Sequence, residues 1–183
     1  MKGMVFNLLE SFITDRFGED VYEDIAESAQ LITQEPFVGP GIYPDEDFME
    51  LVNRACERLK VTPQAASRLF GHYSFSKLAH LHTFFLQSHT SALEFIRSVD
   101  GVIHVEVLKL YPDVTLPKFD YDQETKDSLS IKYTSERRLC FFMEGLIQGC
   151  AEHFGDQIEF EQSTCYHKGD DHCMFHLREI KSA

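Results

Sequence analysis

The chain has 183 residues, 43% of them apolar, which is enough for one domain with a substantial buried core. Its formal net charge of −13 sets the surface against phosphate backbones and anionic membranes, so the reading has no nucleic acid and no membrane partner. No apolar run is long enough to span a bilayer, and 16 phenylalanines without a single tryptophan could fill a core or line a large apolar cavity.

In chain order, "MKGMVFNLLESFITDRFGED" starts like a signal peptide, but Glu10, Asp15 and Arg16 interrupt it and its apolar residues recur at helical spacing. It reads as an amphipathic helix over 4–17, stopped by Gly18, with a short helix from Asp20 to about Gln30 after it. A loop rich in Pro and Gly follows. The acidic "PDED" then opens a helix over 45–59, its carboxylates placed where the helix dipole favours them. Thr62 and Pro63 form an N-cap and first-turn pair for a helix running through "QAASRLFGHYSFSKLAHLHTFF", and another helix covers roughly 91–98. Beyond Pro112 the texture changes. "LPKFDYD", "SLSIKYT", "QIEFEQST" and "CMFHLREI" read as antiparallel strands, with one helix over 137–154 between the second and third. The class is α+β, as one domain over 1–183. "DGVIHVEVLKLYPDV" stays ambiguous: Ile103, Val105 and Val107 alternate as in a strand, while Ile103, Val107 and Leu110 fit a helix.

Three groups of residues carry chemistry. Tyr133, Ser135 and Arg137 fall at every second position, so extended backbone would turn a phenol, a hydroxyl and a guanidinium fork to one side, where they suit a carboxylate ligand. Spacing alone fits an ordinary exposed strand face at least as well. His104 lies among apolar residues that favour the neutral imidazole, the form that ligates iron; a satisfied core histidine has the same signature. Cys140, Cys165 and Cys173, with His167, His172 and His176 nearby, include the ligand types of a zinc site. But Cys165 and Cys173 lack a standard finger spacing and no CxxC occurs, so buried cysteines beside surface histidines fit equally well. Five cysteines without a readable secretory signal imply reduced thiols in a cytoplasmic protein, or a metal site. GxSxG, HExxH, P-loop and GxGxxG signatures are absent.

Taken together, "MKGMVFNLLE", "LFGHYSF", "VIHVEVLKLYPDVTLPKF", "YTSER" and "GDDHC" resemble the haem-nitric oxide/oxygen binding family, the H-NOX domains, which also form the sensor part of soluble guanylate cyclase. The resemblance spans nearly the whole chain and implies a helical distal part over about 1–60 and a proximal part with the sheet over about 61–183. It implies haem b, with His104 as axial iron ligand on a helix and Tyr133, Ser135 and Arg137 at the propionates. Pro117 would press on the porphyrin, and Val5 and Leu146 would pack on the distal side. Oxygen-binding members carry a distal Tyr where this chain has Phe142; Leu9 and Ser74 stand at the other two distal donor positions. A ferrous haem that excludes oxygen and binds nitric oxide, and also carbon monoxide, is therefore expected. Nitric oxide would weaken the iron–His104 bond and shift the chain's conformation. No kinase, cyclase or receptor segment is read here, so the output would be a separate signalling protein: by analogy a histidine kinase of two-component signalling, or a cyclic-di-GMP enzyme. The family also implies Zn2+ on Cys140, Cys165 and Cys173, with Gln162 where some members place a fourth, histidine ligand. That leaves His167, His172 or His176, with His167 preferred. A zinc/thiol redox-sensing module built on the same cysteines is the alternative function, and an enzyme with Cys165 as nucleophile is the third.

Overall fold

The computed structural model describes residues 1–180, with Gln123 and Glu124 described by backbone only. Eight α-helices precede or interrupt a four-stranded sheet: α1 Gly3–Phe17, α2 Glu19–Ser28, α3 Asp45–Leu59, α4 Pro63–Leu81, α5 Thr83–Leu86, α6 Ala92–Ser98, α7 Val105–Leu110, β1 Lys118–Thr125, β2 Ser128–Thr134, α8 Cys140–Phe154, β3 Ile158–Thr164 and β4 Cys173–Glu179. A π-helical turn, Val99–His104, leads into α7, and a short 3₁₀ turn, Tyr166–Lys168, separates β3 from β4. The sheet order is β1-β2-β4-β3, with all neighbours antiparallel.

Local side-chain chemistry sets the starts of α4 and α6. The Thr62 side chain accepts the Ala65 N–H at 3.3 Å, with Pro63 in the first turn. Ser91 caps α6 in the same way, at 3.3 Å to the Glu94 N–H. Helix α4 ends four residues earlier than "HTFF" implied: the backbone leaves the helical region at His82 and restarts as the one-turn α5. The ambiguous 100–114 stretch is helical as far as Leu110 and turns after it. Its outward Val102, Val105 and Leu108 are 42–46% exposed, so the alternation seen in sequence does not correspond to a buried strand face.

Two apolar cores result. Phe6, Leu9, Phe12, Ile13, Ile25, Phe48 and Leu51 form one, and α4 adds Phe70 and Tyr73 to it. The other joins Leu93, Ile96, Leu129, Ile131, Tyr133, Ile147, Phe175 and Leu177, and α4 adds Phe75 and Ala79. Helix α4 thus serves both cores, and α8 lies directly against it. A Cβ on Gly71 would sit 2.1 Å from the Phe142 carbonyl oxygen, and one on Gly145 would sit 2.1 Å from that of Arg68. Only glycine allows backbones so close. The Arg68–Glu144 ion pair, with Glu144 buried, and His72–Glu152 at 2.5 Å close the same seam.

Candidate functional site

His104 ends the π-helical turn, an irregularity that recurs at functional positions because it re-aims a side chain. Its Nδ1 lies 3.2 Å from the Asp100 carboxylate, which also accepts the Phe119 N–H at 3.3 Å. A carboxylate only accepts, so Nδ1 carries the proton and Nε2 keeps its lone pair. Burial lowers the pKa of His104 below the ordinary imidazole value, against the opposing pull of Asp100. The ring packs 5.1 Å from Phe119, which in turn lies 5.8 Å from Tyr133. The one sequence signal for Asp100 is a carboxylate four residues before the histidine, one helical turn away.

The Tyr-Ser-Arg motif is not one strand face. Strand β2 ends at Thr134, so alternation holds only as far as Tyr133, and Ser135 to Arg138 form a turn in which Arg138 takes a positive φ of 51°. Tyr133 is 3% exposed and points into the core, where burial lifts its phenol to about 12. Arg137 reaches the helical part instead. Its Nε and Nη2 donate to Asp45 at 2.5 and 3.3 Å, and its Nη1 donates to the Thr115 carbonyl at 2.6 Å, two residues from Pro117. Asp45 also accepts from the Met1 amino group at 2.6 Å. Burial alone would raise the Asp45 carboxyl, but Arg137 and the Met1 ammonium hold it below the usual carboxylate value. In sequence Asp45 is a first-turn helix carboxylate; its pairing with Arg137 crosses 92 positions and has no local signature.

Asp45→Asn removes the charge shared by Arg137 and Met1. The pair is more than one-third exposed on the Asp45 side, so screening limits the loss to roughly 1 kcal/mol, or about 2–4 °C in Tm by calorimetry. A depressed carboxyl contributes above its unfolded value and loses that contribution as pH falls through the folded one. The gap between wild type and variant should therefore close at acid pH.

A cavity of about 160 Å³ opens between α1, α3, α4 and the start of α8; Val5, Leu9, Phe70, Phe142 and Arg137 are among its walls. Phe142 packs 5.1 Å from Phe70. Leu146 packs against the sheet-side core, and neither it nor His104, Pro117, Tyr133 nor Ser135 lines this cavity. Ser74 is fully buried, its Oγ has no partner among the described residues, and it too lies off the cavity wall.

The three cysteines do converge. Cys140, Cys165 and Cys173 are buried with their sulfurs within 4.8 Å of one another, and Cys140 and Cys165 are 3.7 Å apart. Burial raises the thiols of Cys140 and Cys173. His167 is not with them. Its ring stacks on Phe141 at 4.9 Å and its Nε2 meets the Arg138 carbonyl at 3.1 Å. His172 pairs with Asp171, and His176 lies between Ser130 and Ser163 at 2.9 Å each. With no imidazole in the cluster among the described residues, the structure does not support the zinc reading or the redox module founded on it.

Haem fits the donor set. His104 offers one neutral nitrogen held by a carboxylate, and the Arg137 fork already binds a carboxylate, that of Asp45, as it would a propionate. Such a set, on a helical part joined to an antiparallel sheet, has the donors a haem-binding domain needs. Comparison with known proteins gives the family. The haem-NO-binding family profile matches residues 2–162. An H-NOX protein from S. oneidensis in the Fe(II)NO ligation state superimposes with a TM-score of 0.91 at 31% identity, covering 99% of this chain and 100% of that one. The H-NOX domain from Shewanella oneidensis in the Fe(II)CO ligation state gives 0.90 and 31%, with 100% of both chains covered. Fe(II) unliganded H-NOX from K. algicida gives 0.91 at 25%, covering 100% of this chain and 98% of that one. The chain belongs to the haem-NO-binding (H-NOX) family, whose members are gas-sensor domains and not enzymes. Among the described residues, no helix is long and apolar enough to cross a membrane.

Proposed function

We propose that the chain is a cytoplasmic nitric oxide sensor holding ferrous haem b as one domain over 1–183, with a distal part over about 1–60 and a proximal part beyond it. His104 would hold the iron, its Nδ1 being taken by Asp100. Tyr133, Ser135 and Arg137 would serve the propionates, Pro117 would bear on the porphyrin, Val5 and Phe142 would wall the pocket from the cavity side, and Leu146 would do so from the sheet-side core. The observation that carries the reading is the His104–Asp100 contact, which leaves a neutral, fixed imidazole with one nitrogen for a metal. When bound, haem supplies the iron that takes the gas. The solved relatives carrying nitric oxide or carbon monoxide on ferrous iron support those two ligands.

The protein's own part is to choose the gas and respond to it. Iron-bound oxygen gains from a distal hydrogen-bond donor; nitric oxide and carbon monoxide depend on one less. Phe142 offers none, and Ser74 stands off the cavity wall. His104 is the responding residue. Loss of a bond from His104 to iron would free the Val99–Leu110 segment that carries it and change the surface offered to a separate signalling protein, a histidine kinase or a cyclic-di-GMP enzyme by family analogy. The test is an absorption spectrum of the ferrous protein, then in air, then with nitric oxide. A Soret band that ignores air and shifts with nitric oxide is expected; a stable oxygen complex would overturn the distal-pocket argument. Phe142→Tyr should then gain measurable oxygen affinity, on the order of one charge-assisted hydrogen bond, about 10- to 100-fold.

A further inference from the structure

Tyr166 stands at the meeting of two groups that the proposed function leaves unconnected. Its hydroxyl oxygen accepts the Ser135 backbone N–H at 3.1 Å, inside the Tyr-Ser-Arg turn. Its ring carries the Arg138 guanidinium, 5.6 Å from the ring centre, at the one residue of that turn with a positive φ. Its own backbone N–H points at the Cys173 sulfur at 3.5 Å. The 3₁₀ turn bearing it is itself held: Cys165 donates to the Asp170 carboxylate at 2.7 Å, and the Lys168 and Asp170 amides return to the Cys165 carbonyl at 2.8 and 3.3 Å. On the other side of the turn, Arg138 donates its amide to the Ser135 carbonyl at 3.2 Å. A left-handed non-glycine residue persists only where its surroundings over-determine it. Here the ring under Arg138 and the hydroxyl under Ser135 do so together.

We infer that Tyr166 is a positioning residue for Ser135 and Arg137, and that through it the buried Cys140–Cys165–Cys173 cluster is mechanically linked to the haem edge. The inference rests on the haem reading above. Tyr166 touches neither iron nor gas: it sets where the Ser135 amide and the Arg137 fork stand, and Cys173 helps set where Tyr166 stands. Tyr133 reaches the same cluster from the strand side, since it stands opposite Cys173 in the β2–β4 register.

The experiment uses the haem-loaded protein and Tyr166→Phe, which keeps the ring under Arg138 and removes only the hydroxyl. Two readouts are followed: the propionate bending band by resonance Raman, and hydrogen exchange of the Ser135 amide. The expected result is a shifted propionate band with Ser135 exchange about 2- to 10-fold faster, while the Soret maximum stays in place. Cys173→Ala in wild type should shift the same band, and should add little in the Tyr166→Phe background, because the two changes break one path. If the wild-type protein holds no haem, the functional reading fails before this one is reached. If wild type holds haem and Tyr166→Phe leaves both the band and the Ser135 exchange unchanged, the positioning role is overturned. A fall in melting temperature alone, with the band unmoved, assigns Tyr166 a purely structural place and overturns it as well. If Cys173→Ala does not fold, Tyr166→Phe decides alone.

Discussion

His104→Ala removes the haem spectrum of the wild-type protein. Loss of an outer-shell partner of a metal-binding histidine costs about 10–100-fold in affinity, and loss of the ligand itself should reach or exceed the upper figure. Measured as haem bound per chain after purification, and again after reconstitution, the variant should be nearly empty or show a displaced Soret band. The fold should survive, because His104 is half-buried at the edge of its core and its main partner, Asp100, still accepts the Phe119 N–H. A His104→Ala protein with the wild-type Soret position and wild-type haem content would refute the ligand assignment. It would leave the family membership untouched, since that rests on a match over residues 2–162.

Gly145→Val should produce the largest loss of stability. The first atom of any side chain there would lie 2.1 Å from the Arg68 carbonyl oxygen and 2.7 Å from the His72 amide nitrogen, both backbone atoms that cannot rotate aside. The α4–α8 seam must open, which strains the buried Glu144 pairing and both cores that α4 serves. Overpacking of this kind costs about 3 kcal/mol or more, or roughly 6–12 °C in a domain of this size. Thermal unfolding followed by circular dichroism measures it. A melting temperature within about 2 °C of wild type would show that the seam is compliant. Because Phe142 sits one turn from Gly145 and packs on Phe70, the same variant should disturb the cavity wall even in chains that remain folded.

How far the site was legible in sequence depended on the range of each interaction. Thr62 with Pro63, and Ser91 with Glu94, act within four residues, and the helices they start lie where those residues imply. Alternation in "SLSIKYT" located β2 because one face of that strand meets the core at Leu129, Ile131 and Tyr133. The same rule misled at Ser135 and Arg137, since it assumes that extended backbone continues and the strand ends first. It also left 100–114 undecided. That segment exposes Val102, Val105 and Leu108, so apolar residues appear on both of its faces and no single period stands out. His167 was drawn to the cysteines by nearness in sequence, but the 3₁₀ turn after Cys165 swings it onto Phe141.

By itself the sequence determined the α+β class, most helix and strand positions, the family, and the residue types a haem would need at His104 and in the Tyr-Ser-Arg turn. Those follow from local propensity, periodicity and motif spacing, which act along the chain. Only the tertiary structure decided which groups meet: Asp45 with Arg137, Asp100 against His104 and Phe119, three cysteines without a histidine, and Tyr166 beneath Ser135 and Arg138. Apart from the His104–Asp100 pair, one helical turn apart, these contacts join residues distant in the chain. They form only where packing of α4 against α8 and of the sheet around its core brings the backbones together, and no one-dimensional pattern encodes them.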